Sequence, residues 1–420
     1  MKRSDDMALL LVWFFGLLAV SLLGGGLWLV HAGLNGQGVG PLGPSAVFLI
    51  GLGLFSLALL GRFIVRRWLG CRTPPGTLAF APLPLGTVQR LVRPDGAVLH
   101  VTAFGPEDAP VLLFTHGWEL SGAEWFYAQQ ALAGPYRVVV WDLPGLGRST
   151  GPRDQAYDLT RLAGHLQAVI EATGPQPVIL AGHSIGGMVI LTWCREAQAS
   201  LLNRVAGLVL SHTTPTNPLR TTWGAQVLSP LERVLVKPMC RLTIALSPLV
   251  RVMNALAYLS GLTHLSNHLF QFAGRETREQ LDFVSRSGLR ANPVVSARGM
   301  LAMLRYDARD VLPTLPMPVL VVGGDVDKVT LPAASEYMRR EIPQARAVRL
   351  APAGHLGLLE QHGAWTQAVR DFARNCFDPG LKAAPAATSP RRSALVEAGH
   401  EGPHLWTEGQ RWNTGVMKEP

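Results

Sequence analysis

The sequence predicts an α/β fold, a mostly parallel sheet with helices on both faces, preceded by two transmembrane helices. Three observations carry that expectation. First, short β-branched or leucine-rich runs at 98–104, 111–115, 137–141, 178–181, 205–210, 319–322 and 345–350 alternate with helical stretches, the pattern of parallel strands covered by helices. Second, no Asp, Glu, Lys or Arg lies between Asp6 and Arg62, room for two helices of ~20 apolar residues each. Third, the stretch VILAGHSIGG at 178–187 runs an apolar strand straight into a serine fenced by glycines, the punctuation of a sharp strand-to-helix turn. A chain of 420 residues, 48% apolar, holds one large domain or two ordinary ones and easily supports a buried core.

The N-terminal anchor is assigned to 1–70. Its apolar runs, 7–30 and 45–61, are joined by an uncharged glycine- and proline-rich link, 31–44, which suits a short turn outside the bilayer. Lys2 and Arg3 precede the pair, and Arg62, Arg66, Arg67 and Arg72 follow it. The positive-inside rule therefore puts both ends, and everything downstream, in the cytoplasm. A cleaved signal peptide is the competing reading of the first run, but that run exceeds an ordinary h-region and a second span follows it. Two buried helices of a soluble protein would have to hide their uncharged surface on all sides.

Next comes a linker, 71–90, in which Thr73-Pro-Pro-Gly76 and Pro82-Leu-Pro84 read as extended chain. At the other end, 377–420 reads as a disordered tail by composition. Cys71, Cys194, Cys240 and Cys376 show no paired spacing, so neither a disulfide framework nor a zinc site is indicated, in keeping with a reducing compartment.

The serine of Gly182-His183-Ser184-Ile185-Gly186 needs small neighbours because a strand turning abruptly into a helix strains the backbone and lifts the hydroxyl clear of the sheet. A lone G-x-S-x-G occurs by chance, but here a strand precedes it and the amphipathic IGGMVILTWCREA follows. A serine hydroxyl becomes a nucleophile when a histidine takes its proton and a carboxylate orients that histidine. Both are present in the order serine, acid, histidine: GGDVDKVTLP follows the run at 319–322, and PAGHLGLLE spans 352–360.

With these motifs the chain resembles the α/β-hydrolase family from about 91 to 375. The likeness rests on THGW at 115–118, WDLPGLGRS at 141–149, the serine turn, the acid loop and AGHLGLLE at 353–360. The resemblance implies Ser184 as nucleophile and His355 as general base. The family's G-x-x-D spacing falls on Asp327, with Asp325 as the alternative acid or a turn former. It also implies the backbone N–H groups of Trp118 and Ile185 as the oxyanion hole. The side chains of His116 and His183 are expected to fix loops, as are Asp142 and Ser149, while Trp118, Trp125 and Trp141 serve as wall or core.

About a hundred residues separate the strands ending near Ser211 and starting near Val319, too many for an ordinary connection. The resemblance makes 214–310 an inserted helical cap between two parts of the core, 91–213 and 311–376. The cap holds 12 Lys+Arg against 6 Asp+Glu, +6 of the chain's formal +9. One reading is an amphipathic lid with a solvated basic face. The other, which agrees with the anchor, is a lid that leans on an anionic leaflet and admits lipophilic substrate.

Epoxide hydrolases and haloalkane dehalogenases carry aspartate at the turn, and serine at 184 argues against them. Thioesterases, acyltransferases and cofactor-free haloperoxidases use the same triad and stay open. A membrane-tethered scaffold with a dead hydrolase fold would normally show a broken triad, and no position is broken here. The bases cluster beside the spans and on the cap with no nucleic-acid motif, so nucleic acid is not an expected partner. The sequence thus points to an integral-membrane serine hydrolase with a cytoplasmic catalytic domain. Its partners would be a lipophilic carboxylic ester, cleaved through an acyl-enzyme without metal or organic cofactor, and membrane lipid.

Overall fold

Among the residues described by the computed structural model, 8–72, 86–343, 345–378 and 404–405, the chain begins with two long helices, α1 (Ala8–Leu34) and α2 (Pro44–Leu69). They form an antiparallel pair whose seam is built from small residues. A Cβ on Gly51 would lie 2.6 Å from the Val30 nitrogen, so the backbones approach as closely as in small-residue packing between membrane helices. Large apolar side chains such as Phe14, Leu49 and Ile64 point outward instead of into the seam. Both helices are long and apolar enough to cross a membrane, over Leu11–Leu34 and Pro44–Leu69. Pro44 opens α2, where a missing N–H costs nothing, and Arg66 and Arg67 close it, where cations favour the helix dipole. The extended connection expected over Thr73–Gly76 and Pro82–Pro84 lies outside the described residues.

The sheet contains β1 (Thr87–Val92), β2 (Val98–Phe104), β3 (Val111–Thr115), β4 (Arg137–Trp141), β5 (Val178–His183), β6 (Val205–Ser211), β7 (Val319–Gly324), β8 (Ala345–Leu350) and β9 (His404–Leu405). Its order is β1-β2-β4-β3-β5-β6-β7-β8-β9. From β4 through β8 every neighbouring pair is parallel, and β3, β5 and β7 are buried along their whole length. Strands buried on both faces read as continuous apolar runs, which is why the sequence announced them.

Three departures from the sequence expectation occur at the edges. β1 was not anticipated because TVQRLV is an exposed edge strand with no apolar run. The run at 98–104 is a strand but not a parallel one, since β2 pairs antiparallel with β1 and β4. Within the tail expected to lack structure, His404 and Leu405 pair antiparallel with Arg349 and Val348; the rest of the tail beyond Asp378 lies outside the described residues.

Body helices cover both faces. On one side α4 (Leu159–Ala172), α5 (Ile185–Glu196) and α13 (Pro332–Glu341) pack Leu166, Val189 and Met338 against Leu113, Leu180 and Val321. On the other, α3 (Phe126–Leu132) and α15 (His362–Phe377) bring Phe126, Trp365 and Phe372 against Phe114, Ile179 and Val322. Two short helices, α6 (Ala199–Leu202) and α14 (Gly357–Glu360), bridge connections. Between β6 and β7 lie α7 (Ala225–Leu231), α8 (Lys237–Ala245), α9 (Ser247–Leu259), α10 (Leu262–Phe270), α11 (Arg278–Arg290) and α12 (Pro293–Met303). Asn292 caps α12, and a reciprocal Thr277–Gln280 capping box starts α11.

Trp365 joins the α15 face to the end of β6. Its ring centroid is 5.4 Å from that of Trp125, and its indole N–H donates to Ser211 Oγ at 2.9 Å. Trp365→Ala is expected to lower stability by about 3–5 kcal/mol, read from the denaturation midpoint of the detergent-solubilised chain, whereas Trp365→Phe costs less because it keeps most of the volume.

Candidate active site

The site starts from a steric requirement at the β5–α5 turn. Ser184 has φ 52° and ψ −119°, a left-handed conformation that an L-residue occupies only where its surroundings hold it. Ser184 N donates to Ser211 O at 3.0 Å, and Thr213 Oγ1 donates to Ser184 O at 2.6 Å. A Cβ on Gly186 would collide with the Thr115 carbonyl, so the turn closes onto β3 only with glycine there. Glu119 and His212, at the ends of β3 and β6, share this positive φ (62° and 47°). Three of the four non-glycine residues with positive φ among those described thus follow strand carboxyl ends, and the fourth, Gln155, lies in the connection between β4 and α4.

The two candidate acids part company in the loop after β7. Asp325 Oδ1 accepts from Ala353 N at 2.8 Å and ties its loop to the one after β8. Asp327 instead faces His355, with Oδ2 3.0 Å from Nδ1. It also accepts from Val329 N, Thr330 N and Thr330 Oγ1 at 2.8 to 2.9 Å. Burial acts to raise the Asp327 pKa, but the facing His355 and these donors outweigh it, so the carboxyl is held below its usual range. The Asp327 and His355 side chains are buried, whereas Asp325 is half-buried.

Trp118 N–H and Ile185 N–H donate to no protein acceptor among the described residues. The Trp118 indole reaches away from the sheet, donating to Ser296 O of α12 at 3.3 Å and meeting Tyr157 edge-on at 6.5 Å. It is part of a wall under the cap. A cleft of about 560 Å³ opens behind that wall, lined by Tyr157, Arg195, Arg298 and Tyr306 among others; Ser184 is not among its lining residues.

Loop-fixing roles are visible for the neighbouring polar residues. His116 Nε2 accepts from Leu143 N at 2.9 Å, which puts its proton on Nδ1, 2.7 Å from Gly117 O. Asp142 accepts from Gly122 N and Arg148 N, and Ser149 Oγ donates to Asp142 O. The loop bearing His355 is strapped to the link between α10 and α11: Glu360 accepts from Gly354 N, Ala273 N and Arg275 N, and Leu356 N donates to Gln271 O.

Sequence reasoning missed Glu124 and His212. Glu124 is buried and accepts from Gly117 N at 2.8 Å, while its other oxygen pairs with His183 Nδ1. His183 Nε2 faces His355 O at 3.0 Å. Both ring nitrogens thus face acceptors, which calls for a proton on each. Burial opposes that charge, yet the Glu124 carboxylate more than compensates, and the His183 pKa lies above its ordinary value. His212 is the opposite case: burial drives its pKa down to about 3 and keeps it neutral. The only sequence signal for Glu124 is an acid seven residues after Gly117, in a stretch that also holds Glu119, and His212 is marked only by following β6 directly. Among the described residues no group of three His, Cys, Asp or Glu side chains is placed to hold a metal ion.

A mostly parallel sheet with a strained serine at a strand-to-helix turn, and a buried Asp–His pair on the two loops that follow later strands, defines the α/β-hydrolase class. A family profile described as alpha/beta hydrolase fold matches residues 110–361, more than half of the chain, and the protein belongs to that family. Over 280 residues it is 26% identical to a pimeloyl-[acyl-carrier protein] methyl ester esterase of Vibrio parahaemolyticus, covering 66% of this chain and 98% of the relative. A bifunctional esterase/perhydrolase of Acinetobacter calcoaceticus is 27% identical over 247 residues, 56% of this chain and 80% of the relative. The solved esterase of Exiguobacterium antarcticum superposes with a TM-score of 0.56 at 21% identity, over 69% of this chain and 100% of that one.

The His183–Glu124 pair yields a pH-dependent expectation. Because the folded pKa of His183 is raised, the pair's contribution is complete below the ordinary value of 6.5 and is lost as pH rises through the folded value. Glu124→Ala strands a buried imidazolium and is expected to cost about 3–5 kcal/mol. Glu124→Gln keeps the Gly117 bond and lets His183 become neutral. Its stability deficit should be widest just below pH 6.5 and shrink at higher pH, as measured by denaturation across a pH series.

Proposed function

We propose that the protein is a membrane-anchored serine esterase that cleaves a lipophilic carboxylic ester through an acyl-enzyme. The observation that carries this reading is the placement of Ser184 at a strained, forward-projecting turn whose neighbouring loops bring Asp327 and His355 to 3.0 Å of each other. In the proposed reaction His355 Nε2 accepts the Ser184 proton as Oγ bonds to the carbonyl carbon. Asp327 holds the Nδ1–H and stabilises the imidazolium. Trp118 N–H and Ile185 N–H receive the oxyanion. The imidazolium then protonates the departing alkoxide, and the same groups run the sequence again with water to release the acid. Ester chemistry is supported by the names of the relatives, and Asp325, bonded to Ala353 N, serves the loop.

The lipophilic substrate and the anchor are supported by α1 and α2 and by the basic cap. In this reading the helices cross a membrane as a hairpin with Arg62, Arg66, Arg67 and Arg72 on the cytoplasmic side, which places the catalytic domain there. A reporter fused after Pro420 tests it: an active alkaline phosphatase at that end, with a dark cytoplasmic fluorescent protein, would overturn the topology alone.

For the chemistry, Ser184→Ala should abolish ester hydrolysis and fluorophosphonate labelling, the rate falling by about 10⁴ to 10⁶. Asp327→Asn should cripple turnover far more than Asp325→Asn. Unchanged labelling of the alanine variant, or the reverse ranking of the aspartates, defeats the assignment.

A further inference from the structure

Between Glu232 and Glu276 the chain has no acidic residue, yet it carries Arg233, Lys237, Arg241, Arg251 and Arg275. The structure folds most of this stretch into an elbow. The helical run 225–245 turns by 97° at Leu246 into Ser247–Leu259. Leu242, Leu246, Leu249 and Val252, which an ordinary soluble lid would bury, are exposed around that corner. An exposed apolar corner flanked along the chain by Arg241 and Arg251, in a stretch without acids, fits an anionic phospholipid leaflet.

Continuity with the N-terminal hairpin sets its place. Trp13 Nε1 of α1 donates to Thr243 Oγ1 of α8 at 2.9 Å, and Met253 of α9 packs on Gly16. On α2, the Arg62 guanidinium lies 5.3 Å over the Tyr258 ring, and Arg66 pairs with Asp282 at 3.2 Å. From Pro44 to Gly61 α2 rises roughly 27 Å, close to the ~30 Å of a hydrocarbon core. Arg62 therefore marks a boundary of that core, and Tyr258, one residue before the end of α9, lies beside it, a residue type that favours this depth.

We propose that the α8–α9 elbow is a third membrane-seated element, lying in the leaflet at the Arg62 end of the hairpin, with its leucines among the upper acyl chains and Arg241 and Arg251 among the phosphates. The seat follows from the elbow and its attachment to the hairpin. One consequence rests on the esterase reading: substrate would reach Ser184 sideways from that leaflet.

The test uses the full-length chain in phosphatidylcholine–phosphatidylglycerol vesicles, with a benzophenone amino acid placed at 246, at 249, or at Glu341 on α13 as reference. Irradiation is expected to give phospholipid adducts at 246 and 249 several-fold above position 341, and L242E/L246E/L249E, probed at Val252, should lose its adducts. Lipid adducts no more frequent than at 341, or adducts only to a second protein chain, overturn the seat. Fluorophosphonate labelling of the same samples separates the two readings: labelled protein without lipid adducts removes the seat and leaves the esterase standing, and the converse removes the esterase alone.

Discussion

The left-handed backbone at Ser184 is the constraint on which the rest of the structure depends. It survives because its amide is held by Ser211 O, its carbonyl by Thr213, and its following glycine lies against the Thr115 carbonyl. Those partners are the ends of β3 and β6. Thr115 is in register with Gly182, and Ser211 with both His183 and Val322. Parallel pairing brings every carboxyl end to one edge, so the register that secures the serine also delivers the loops carrying Trp118, Asp327 and His355.

Charge at that edge is arranged in pairs. Two buried carboxylates, Glu124 and Asp327, each face an imidazole, while a third imidazole, His212, stays neutral in the same cluster. Leaving either carboxylate alone in the interior would be costly. The Glu124–His183 pair acts mechanically, since Glu124 grips the Gly117 amide and His183 faces the His355 carbonyl. One ion pair thus ties the loop after β3 to the loop bearing His355.

How much of this was legible depended on whether a feature is local in sequence. The central strands announced themselves because burial on both faces demands unbroken apolar runs. The edge strand β1 did not, since Gln89 and Arg90 are tolerated where one side meets solvent. Strand direction was invisible for β2: VLHVTAF has the same composition whichever way its neighbour runs. The elbow glycines could be read directly, whereas the facing of Asp327 and His355, and the bond of Asp325 to Ala353 N, rest on contacts no spacing rule contains. Glu124 stayed hidden because its partners are His183, 59 positions away by number, and a main-chain amide, neither of which leaves a pattern.

The strap between the α10–α11 link and the His355 loop couples two segments far apart in sequence. Glu360 holds Ala273, Arg275 and Gly354 together, and Lys328 Nζ reaches the Leu269 carbonyl at 2.6 Å. Stitched in this way, the segment 269–275 and the loop bearing His355 form one mechanical unit, so a displacement of the segment would carry the imidazole with it.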